Sequence, residues 1–218
     1  SGLNWRGSVG ANLRLGTGQT DLPQNFVDVG TGDGQTDVEF RGFFDVLYGS
    51  RFWTSVIGRY GIQLADELVV RISDRPEQRL TALYRQQKVK RNLGDYVELE
   101  ANPRFALNDY VGLMAHYLYR NKREDRYTGT FTIDSATTGF GPVTLNANTL
   151  NLESQRTEHR LGGGLSFSTV SAFTRGKARI PLEVTYFHFQ TTKGSGGSQP
   201  KIFSDQIQLR LYMRIFGN

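Results

Sequence analysis

The chain has 218 residues and a formal net charge of +5, with 26 Lys+Arg against 21 Asp+Glu and no cysteine. It therefore has no disulfide framework and no Cys-ligated metal site. Its mean hydropathy is −0.44, and no segment approaches the ~20 apolar residues of a membrane-spanning helix. Aromatic residues make up 12% of the chain, which is typical of β structure, and we expect one all-β domain over residues 1–218.

Eight segments alternate apolar and polar residues with a period of two, which predicts strands with one apolar and one polar face. In chain order they cover residues 3–15, 37–48, 52–64, 97–107, 111–120, 160–167, 180–187 and 206–215. Soluble strands usually have ~5–6 residues, whereas a tilted strand needs ~9–11 residues to cross a bilayer. Most of these segments have the greater length, and their polar rows mix small residues with arginines. We therefore expect the apolar faces outside and the polar faces inside.

The connections between the segments alternate in length. Residues 16–35, 65–93 and 121–155 form long connections, whereas Gly49-Ser50-Arg51 and the two-residue turn Asn108-Asp109 are short. This alternation is typical of outer-membrane barrels, which have short periplasmic turns and long extracellular loops. The sequence therefore predicts an antiparallel, up-and-down transmembrane β-barrel with eight strands.

Two of the long connections leave the strand count open. Residues 68–84 and 127–145 also contain short alternating stretches. These stretches form either ribbons that protrude beyond the membrane or additional barrel strands, which would give ten or twelve. Basic residues such as Arg71 and Lys88 favour protrusion.

The polar rows contain the candidate functional residues, which we expect to line the lumen. They are Arg6, Arg14, Glu39, Arg41, Asp45, Arg59, Glu98, Glu100, Arg104, His116, Arg120, Arg160, Glu183, Arg210 and Arg214. Charge confined in a narrow lumen must be paired or hydrated. An eight-stranded barrel has room only for its own side chains, so these residues would form a salt-bridged plug. With ten or twelve strands they would line a narrow passage with a weak preference for anions.

Aromatic residues mark the end of the predicted barrel that carries the short turns. They are Trp5, Tyr48, Phe52, Phe105, Tyr110 and Phe216. Amphipathic rings prefer the depth of the lipid headgroups, so we interpret this set as an interface girdle. The alternative is that aromatic residues simply end strands often.

The stretch from Gln206 to Phe216 resembles the C-terminal strand of Gram-negative outer-membrane barrel proteins, which alternates apolar residues and closes on an aromatic. It departs from that pattern because Gly217 and Asn218 follow and because Phe216 is out of phase with the apolar row. Residues 32–38 and 59–61 more faintly resemble FadL-like outer-membrane transporters. The resemblance implies location in the bacterial outer membrane and contact with the barrel-assembly machinery through the C-terminal strand.

Outer-membrane lipid and lipopolysaccharide are the further expected partners. Four basic residues near the predicted outer rim, Arg120, Lys122, Arg123 and Arg126, can pair with lipopolysaccharide phosphates. A solvated charged loop is the alternative interpretation. We expect no nucleic-acid partner, because the aromatic residues and the arginines segregate to opposite strand faces.

No catalytic motif of known spacing occurs, and we expect no enzyme, no cofactor and no metal site. Gly162-Gly163-Gly164 lies in a predicted strand, where glycine allows close approach of neighbouring groups. A rim site of His159 with Glu158 and Ser154 would resemble barrel enzymes, but adjacent strand residues point to opposite faces.

The favoured function is therefore an integral outer-membrane barrel that acts as a small passive channel or as a structural and interaction protein. Two alternatives remain open: a soluble, lipocalin-like barrel that binds an apolar ligand, and an outer-membrane barrel enzyme with a histidine at its rim.

Overall fold

The computed structural model describes residues 2–18, 20, 32, 34–75, 78, 81–196 and 202–212. Its strands are β1 (Leu3–Arg14), β2 (Asp37–Tyr48), β3 (Phe52–Gln63), β4 (Asp66–Arg71), β5 (Gln86–Asn92), β6 (Tyr96–Ala106), β7 (Val111–Lys122), β8 (Arg126–Thr128), β9 (Thr130–Ile133), β10 (Val143–Asn146), β11 (Arg156–Ser168), β12 (Leu182–Ser195) and β13 (Phe203–Leu211). Two short helices, α1 (Ser135–Thr138) and α2 (Val170–Thr174), lie in connections. No helix within the described residues has the length and apolar character needed to cross a membrane.

Eight of the strands form one antiparallel sheet in the order β1-β2-β3-β6-β7-β11-β12-β13. Each of them pairs with the next strand of this sheet along the chain, and the strands in between belong to other sheets. The β1–β2 ladder is in register over its full length, from Leu3 opposite Tyr48 to Arg14 opposite Asp37. The predictions of an all-β fold and of a large antiparallel meander are confirmed. No pairing joins β1 to β13 within the described residues, so the described sheet is open at these two edges.

Several predicted boundaries are wrong. β12 continues to Ser195, well past the predicted end at residue 187, and β13 begins at Phe203 and not at residue 206. The turn at Asn108-Asp109 is longer than two residues, because β6 ends at Ala106 and β7 begins at Val111. The Asn108 Oδ1 accepts hydrogen bonds from the backbone N–H groups of Tyr110 and Val111. These two N–H groups therefore have hydrogen-bond partners although the turn is not a tight two-residue hairpin. The predicted strand at 160–167 begins earlier, at Arg156, because the ladder to β12 continues past an irregularity between His159 and Arg160.

Burial of the sheet's two faces is the reverse of that in a soluble protein. On the polar face, Glu98, Glu158 and Glu183 are 6%, 1% and 6% exposed, whereas on the apolar face Leu99 and Leu165 are 48% and 54% exposed. The carboxylates of the polar face are therefore buried and the leucines of the apolar face exposed.

The sheet curls toward its polar face. Arg104 on β6 donates from Nη2 to Glu183 Oε1 on β12 at 2.7 Å, although β7 and β11 lie between them. On a flat sheet these strands would be ~14 Å apart. Gly112 and Ser166 are the small residues that Arg104 passes over, and Ser166 Oγ lies 3.0 Å from Arg104 Nη2.

The remaining strands form a separate small structure, here called the outer cap, at the end opposite to the short turns. A three-stranded sheet, β4-β5-β8, continues β3, β6 and β7 beyond the breaks at residues 64–65, 93–95 and 123–125, and β9 pairs with β10. Of the seven buried apolar residues described, five pack together in this cap: Ile72, Val89, Ile133, Leu145 and Ala147. The alternating stretches in the long loops are therefore not further strands of the large sheet.

Candidate functional site

The polar face carries a group of ion pairs in its half nearest the outer cap. Glu98 on β6 pairs with Arg59 on β3 and with Arg120 on β7, the latter through Nε to Oε2 at 2.7 Å. Arg59 Nη1 also lies 3.0 Å from Glu100 Oε2, and His116 Nδ1 lies 2.6 Å from Asn102 Oδ1. The alternation on three adjacent strands places these groups on one face, and each cation there faces a carboxylate.

A second buried carboxylate continues this arrangement toward the next strands. Glu158 on β11 is held between Arg156 and Arg160, whose Nη2 lies 2.7 Å from Glu158 Oε1. Thr191 on β12 contacts the same carboxylate from the other side. Two guanidinium groups on one nearly inaccessible carboxylate compensate the cost of its burial.

The ion pairs near the β1 edge follow the strand register. Arg6 and Asp45 are directly opposite in the β1–β2 ladder, and their side chains meet at 2.6 Å. Arg14 pairs with Asp37 in the same way, and Arg41 pairs with Glu39. The Arg6 side chain is nonetheless 79% exposed, because no strand covers the free edge of β1 within the described residues.

At the end with the short turns, here called the turn end, Glu183 on β12 contacts groups from β6, from β13 and from the residue that follows β13. It accepts from Arg104, its Oε2 lies 3.5 Å from Arg210 Nη1, and the Tyr212 hydroxyl donates to it at 2.9 Å. The Arg104 guanidinium lies 4.8 Å above the ring of Trp53. All described members of the predicted lumen set thus lie on the polar face with a polar partner, whereas Arg214 lies outside the described residues.

An aromatic cluster in the middle of the polar face was missed by the sequence analysis. The rings of Phe187 and Phe189 on β12 lie across Gly162 and Gly164 on β11, where a Cβ would come within 2.5 Å of Phe187 atoms. The ring of Phe189 then meets the edge of His116 on β7 at 5.2 Å. The glycines that alternate with apolar residues on β11 were the available signal, since they make room for side chains of the adjacent strand.

The predicted girdle residues that the structure describes lie together at the turn end. Tyr48 pairs with Phe52, and Phe52 with Phe105, in adjacent ladders, and the Tyr110 ring stacks on Phe167 at 6.2 Å. Trp5 lies on the same outer face. Phe216 lies outside the described residues.

A second aromatic belt, which the sequence analysis missed, lies near the outer cap on the same apolar face. The Tyr117 hydroxyl lies 2.8 Å from His159 Nδ1, and the rings of Tyr119 and His159 are 5.1 Å apart. Tyr60 lies on the same face of β3, eight residues beyond Phe52 and, through Val97, level with Asn121 on β7. At ~3.3 Å per residue, Phe52 and Tyr60 are ~26 Å apart along β3.

The structure does not bring together the residues of the suggested rim site. Glu158 lies on the polar face with its two arginines, whereas His159 lies on the apolar face with Tyr117. Ser154 Oγ accepts from the backbone N–H of Asp125. Among the described residues, no cluster of His, Asp and Glu is suited to hold a metal ion.

The four basic residues of the predicted outer rim have different environments. Arg120 is held by Glu98, and Lys122 Nζ lies 2.6 Å from Asp125 Oδ1. Arg123 is exposed, and its contact with a carboxylate is long, at 3.7 Å from Nη1 to Asp95 Oδ2. Arg126 on β8 is also exposed. Together with Lys90 on β5, these last two arginines leave exposed positive charge just beyond the second belt.

Comparisons with known proteins assign no family to the chain. No protein-family model matches it, and no curated protein matches it significantly. Its function is therefore argued from the geometry of its own residues.

Proposed function

We propose that this protein is an integral outer-membrane β-barrel, in which β1 and the C-terminal strand close the sheet and paired charges plug the lumen. It acts as a structural or interaction protein that presents the outer cap outside the cell. The observation that carries this proposal is the inverted burial of the large sheet, with paired carboxylates inside and leucines outside. Such a surface is costly in water and is suited to lipid.

Closure of the barrel is supported by the two free edges and by the curl of the sheet. Both faces of β1 are exposed along its whole length, and β13 is exposed at all but one position. Unpaired backbone groups of an edge strand cannot remain in a bilayer, because lipid offers them no hydrogen bonds. Pairing of β1 with the C-terminal strand removes both edges at once.

The spacing of the two aromatic belts supports insertion. Outer-membrane barrels have an apolar band ~25 Å tall between aromatic girdles, and at a strand tilt of ~40° Phe52 and Tyr60 would be ~20 Å apart along the membrane normal. The exposed side chains of Val9, Val56 and Leu99 lie between these two levels. The apolar face therefore has the height and the flanking rings of a lipid-facing surface.

A plugged interior is favoured over a channel because the charged side chains of the polar face form ion pairs with one another. Glu98, Glu158 and Glu183 each contact two basic side chains. Eight strands leave an interior that side chains can fill. The passive channel remains the second candidate, and we expect planar-bilayer recordings of the folded protein to show no conductance. Steady open-channel currents would favour the channel instead.

The two tryptophans provide a direct test of insertion. Trp5 lies on the apolar face and Trp53 on the polar face beneath Arg104, and the chain has no other tryptophan. W53F and W5F each leave one reporter, and both variants are refolded into vesicles with brominated acyl chains. We expect strong quenching of Trp5 and weak quenching of Trp53.

The opposite outcome is also defined. If the folded protein remains monomeric in water without detergent and neither tryptophan is quenched, the soluble lipocalin-like alternative is correct. A difference in gel mobility between boiled and unboiled samples in SDS provides an independent check on barrel formation.

Three partners belong to this proposal. Lipid covers the apolar face, and the barrel-assembly machinery engages the C-terminal strand. Lipopolysaccharide phosphates pair with the exposed cations beyond the second belt, Lys90, Arg123 and Arg126, rather than with Arg120 and Lys122, which are held by Glu98 and Asp125.

A further inference from the structure

A cavity of about 730 Å³ lies at the turn end of the polar face. It is bounded by the turns at residues 49–51 and 107–110, by the adjacent ends of β6, β7 and β11, and by α2. Its volume exceeds that of a few water molecules and is sufficient for a small organic ligand. None of the ion pairs nearer the outer cap contributes to its wall.

The wall of this cavity is rich in positive charge. Arg51, Arg104 and Arg175 line it, whereas Asp109 is the one carboxylate of the described lining. Arg175 Nη2 lies 2.7 Å from Asp109 Oδ2, and Arg104 is engaged by Glu183 below. Arg51 has no ion pair within the described part of the chain. The lining therefore has more guanidinium groups than carboxylates.

The environment of Asp109 also shows an excess of positive charge. The hydrogen bond from Arg175 holds the pKa of the Asp109 carboxyl below its usual value, and the charges of Arg175, Lys177 and Arg51 act in the same direction. Three basic side chains thus act on a single carboxylate. A second anion in this position would still be stabilised by the charges that Asp109 does not neutralise.

The remainder of the wall offers neutral hydrogen-bond donors. Ser50, Ser168 and Ser171 line the cavity, beside apolar residues such as Trp53 and Val111. Guanidinium groups flanked by hydroxyls are the donors that phosphate and carboxylate oxygens prefer, because several N–H and O–H groups can share one anion. Apolar ligands would leave these donors unpaired.

We propose that the turn-end cavity is a binding site for a small anionic ligand that carries a carboxylate or phosphate group. Arg51 and Arg175 hold the anion, the serine hydroxyls orient it, and Asp109 competes with it for Arg175. The site does not depend on membrane insertion, so it can be tested separately from the proposed location.

The test is isothermal titration of the folded full-length chain in detergent micelles at constant ionic strength, with inorganic phosphate and with citrate as probes. The two probes distinguish phosphate from carboxylate recognition. We expect Arg51→Ala to weaken binding of the preferred probe about tenfold or more, since it removes one charge-assisted hydrogen bond. Arg179→Ala is the matched control. Arg179 lies in the same connection as α2 but does not line the cavity, so we expect this substitution to leave the affinity unchanged.

Asp109→Asn gives a second, opposite signal. It removes the competing carboxylate, so we expect tighter binding, by about threefold to tenfold. A residue with only a structural role would not raise affinity when it is replaced. The proposal is overturned if neither probe binds the wild-type chain, if Arg179→Ala weakens binding as much as Arg51→Ala, or if Asp109→Asn gives no gain.

Discussion

Arg104 and Glu183 form an ion pair at 2.7 Å although two strands separate β6 from β12. The contact is possible because the residues between them on the polar face are Gly112 and Ser166. Their small side chains leave space for the Arg104 guanidinium group. A Cβ on Gly112 would lie 2.7 Å from Ser166 Oγ. This pair therefore connects strands that are distant in the sheet and fixes its curvature at the turn end.

Removal of Arg104 should destabilise the fold because it leaves Glu183 without its shortest cationic contact. The Glu183 side chain is 7% exposed, and breaking a buried pair from one side costs about 3 kcal/mol. Arg104→Met is compared with Arg210→Met, which removes the longer, more exposed contact, by urea unfolding followed through gel mobility. The double variant Arg104→Met/Glu183→Met should recover most of the loss, and a double variant as unstable as Arg104→Met would contradict the argument.

The glycines of β11 provide a prediction with an internal control. A Cβ on Gly164 would lie 2.3 Å from the Tyr186 carbonyl oxygen and 2.5 Å from Phe187 Cδ2, whereas the nearest atom to a Cβ on Gly163 is 4.0 Å away. Overpacking costs about 1–3 kcal/mol, so Gly164→Ala should lower the urea midpoint while Gly163→Ala leaves it nearly unchanged. Equal effects of the two substitutions would mean that the phenylalanine rings do not occupy the space over Gly164.

The outer cap should lose order independently of the large sheet. Val89 is fully buried in the cap core, whereas Val69 on the adjacent strand is 39% exposed. Val89→Ala should cost the cap about 2 kcal/mol through lost burial and a small cavity. We expect faster proteolysis and faster amide exchange within residues 66–92 and 126–151, with unchanged gel mobility of the unboiled barrel. Val69→Ala is the matched control, and loss of the gel shift in Val89→Ala would show that cap and sheet unfold together.

The exposed cations beyond the second belt should determine binding to lipopolysaccharide. Lys90 and Arg126 have no ion pair within the described residues, and their strands pair in the cap. The double variant Lys90→Glu/Arg126→Glu should weaken binding of the detergent-folded protein to lipopolysaccharide severalfold at low salt, and the difference should shrink as salt screens the charges. The double variant Lys177→Glu/Arg179→Glu, at the opposite end of the sheet, makes the same change in net charge without touching this surface. Equal effects of both changes would indicate attraction by net charge alone.

The period-two pattern predicts the eight long strands, apart from their ends, and the face of the described residues in the predicted lumen set. Arg6 and Asp45, for example, were assigned to the polar rows before their register was known, and they are direct cross-strand partners. The pattern misses Asp205, which lies on the apolar face opposite His188. Period cannot distinguish a strand of the large sheet from a cap strand, because Val70 and Leu99 belong to similar alternating stretches. What separates them is the break at residues 93–95 and the packing of Val89 against Ile72 and Ile133, which join segments distant in sequence.

The turn-end cavity was also beyond the reach of the sequence. It combines Arg51, Arg104 and Arg175, which come from two turns and a strand end, and no spacing rule relates them. Similarly, His159 suggested a catalytic rim because it adjoins Glu158 in sequence, yet its ring packs with Tyr119 as part of the second belt.

In the proposed barrel, the ~20 Å between Phe52 and Tyr60 along the membrane normal would also set the lipid that suits the protein. A bilayer with a hydrocarbon core of ~30 Å must thin locally around such a short apolar band, at a cost for each ångström of mismatch. We expect the chain to refold fastest and most completely in lipids with short acyl chains, and to concentrate in the thinner of two coexisting membranes. The nine residues from Phe52 to Tyr60 would then determine the membrane thickness into which the proposed barrel is sorted.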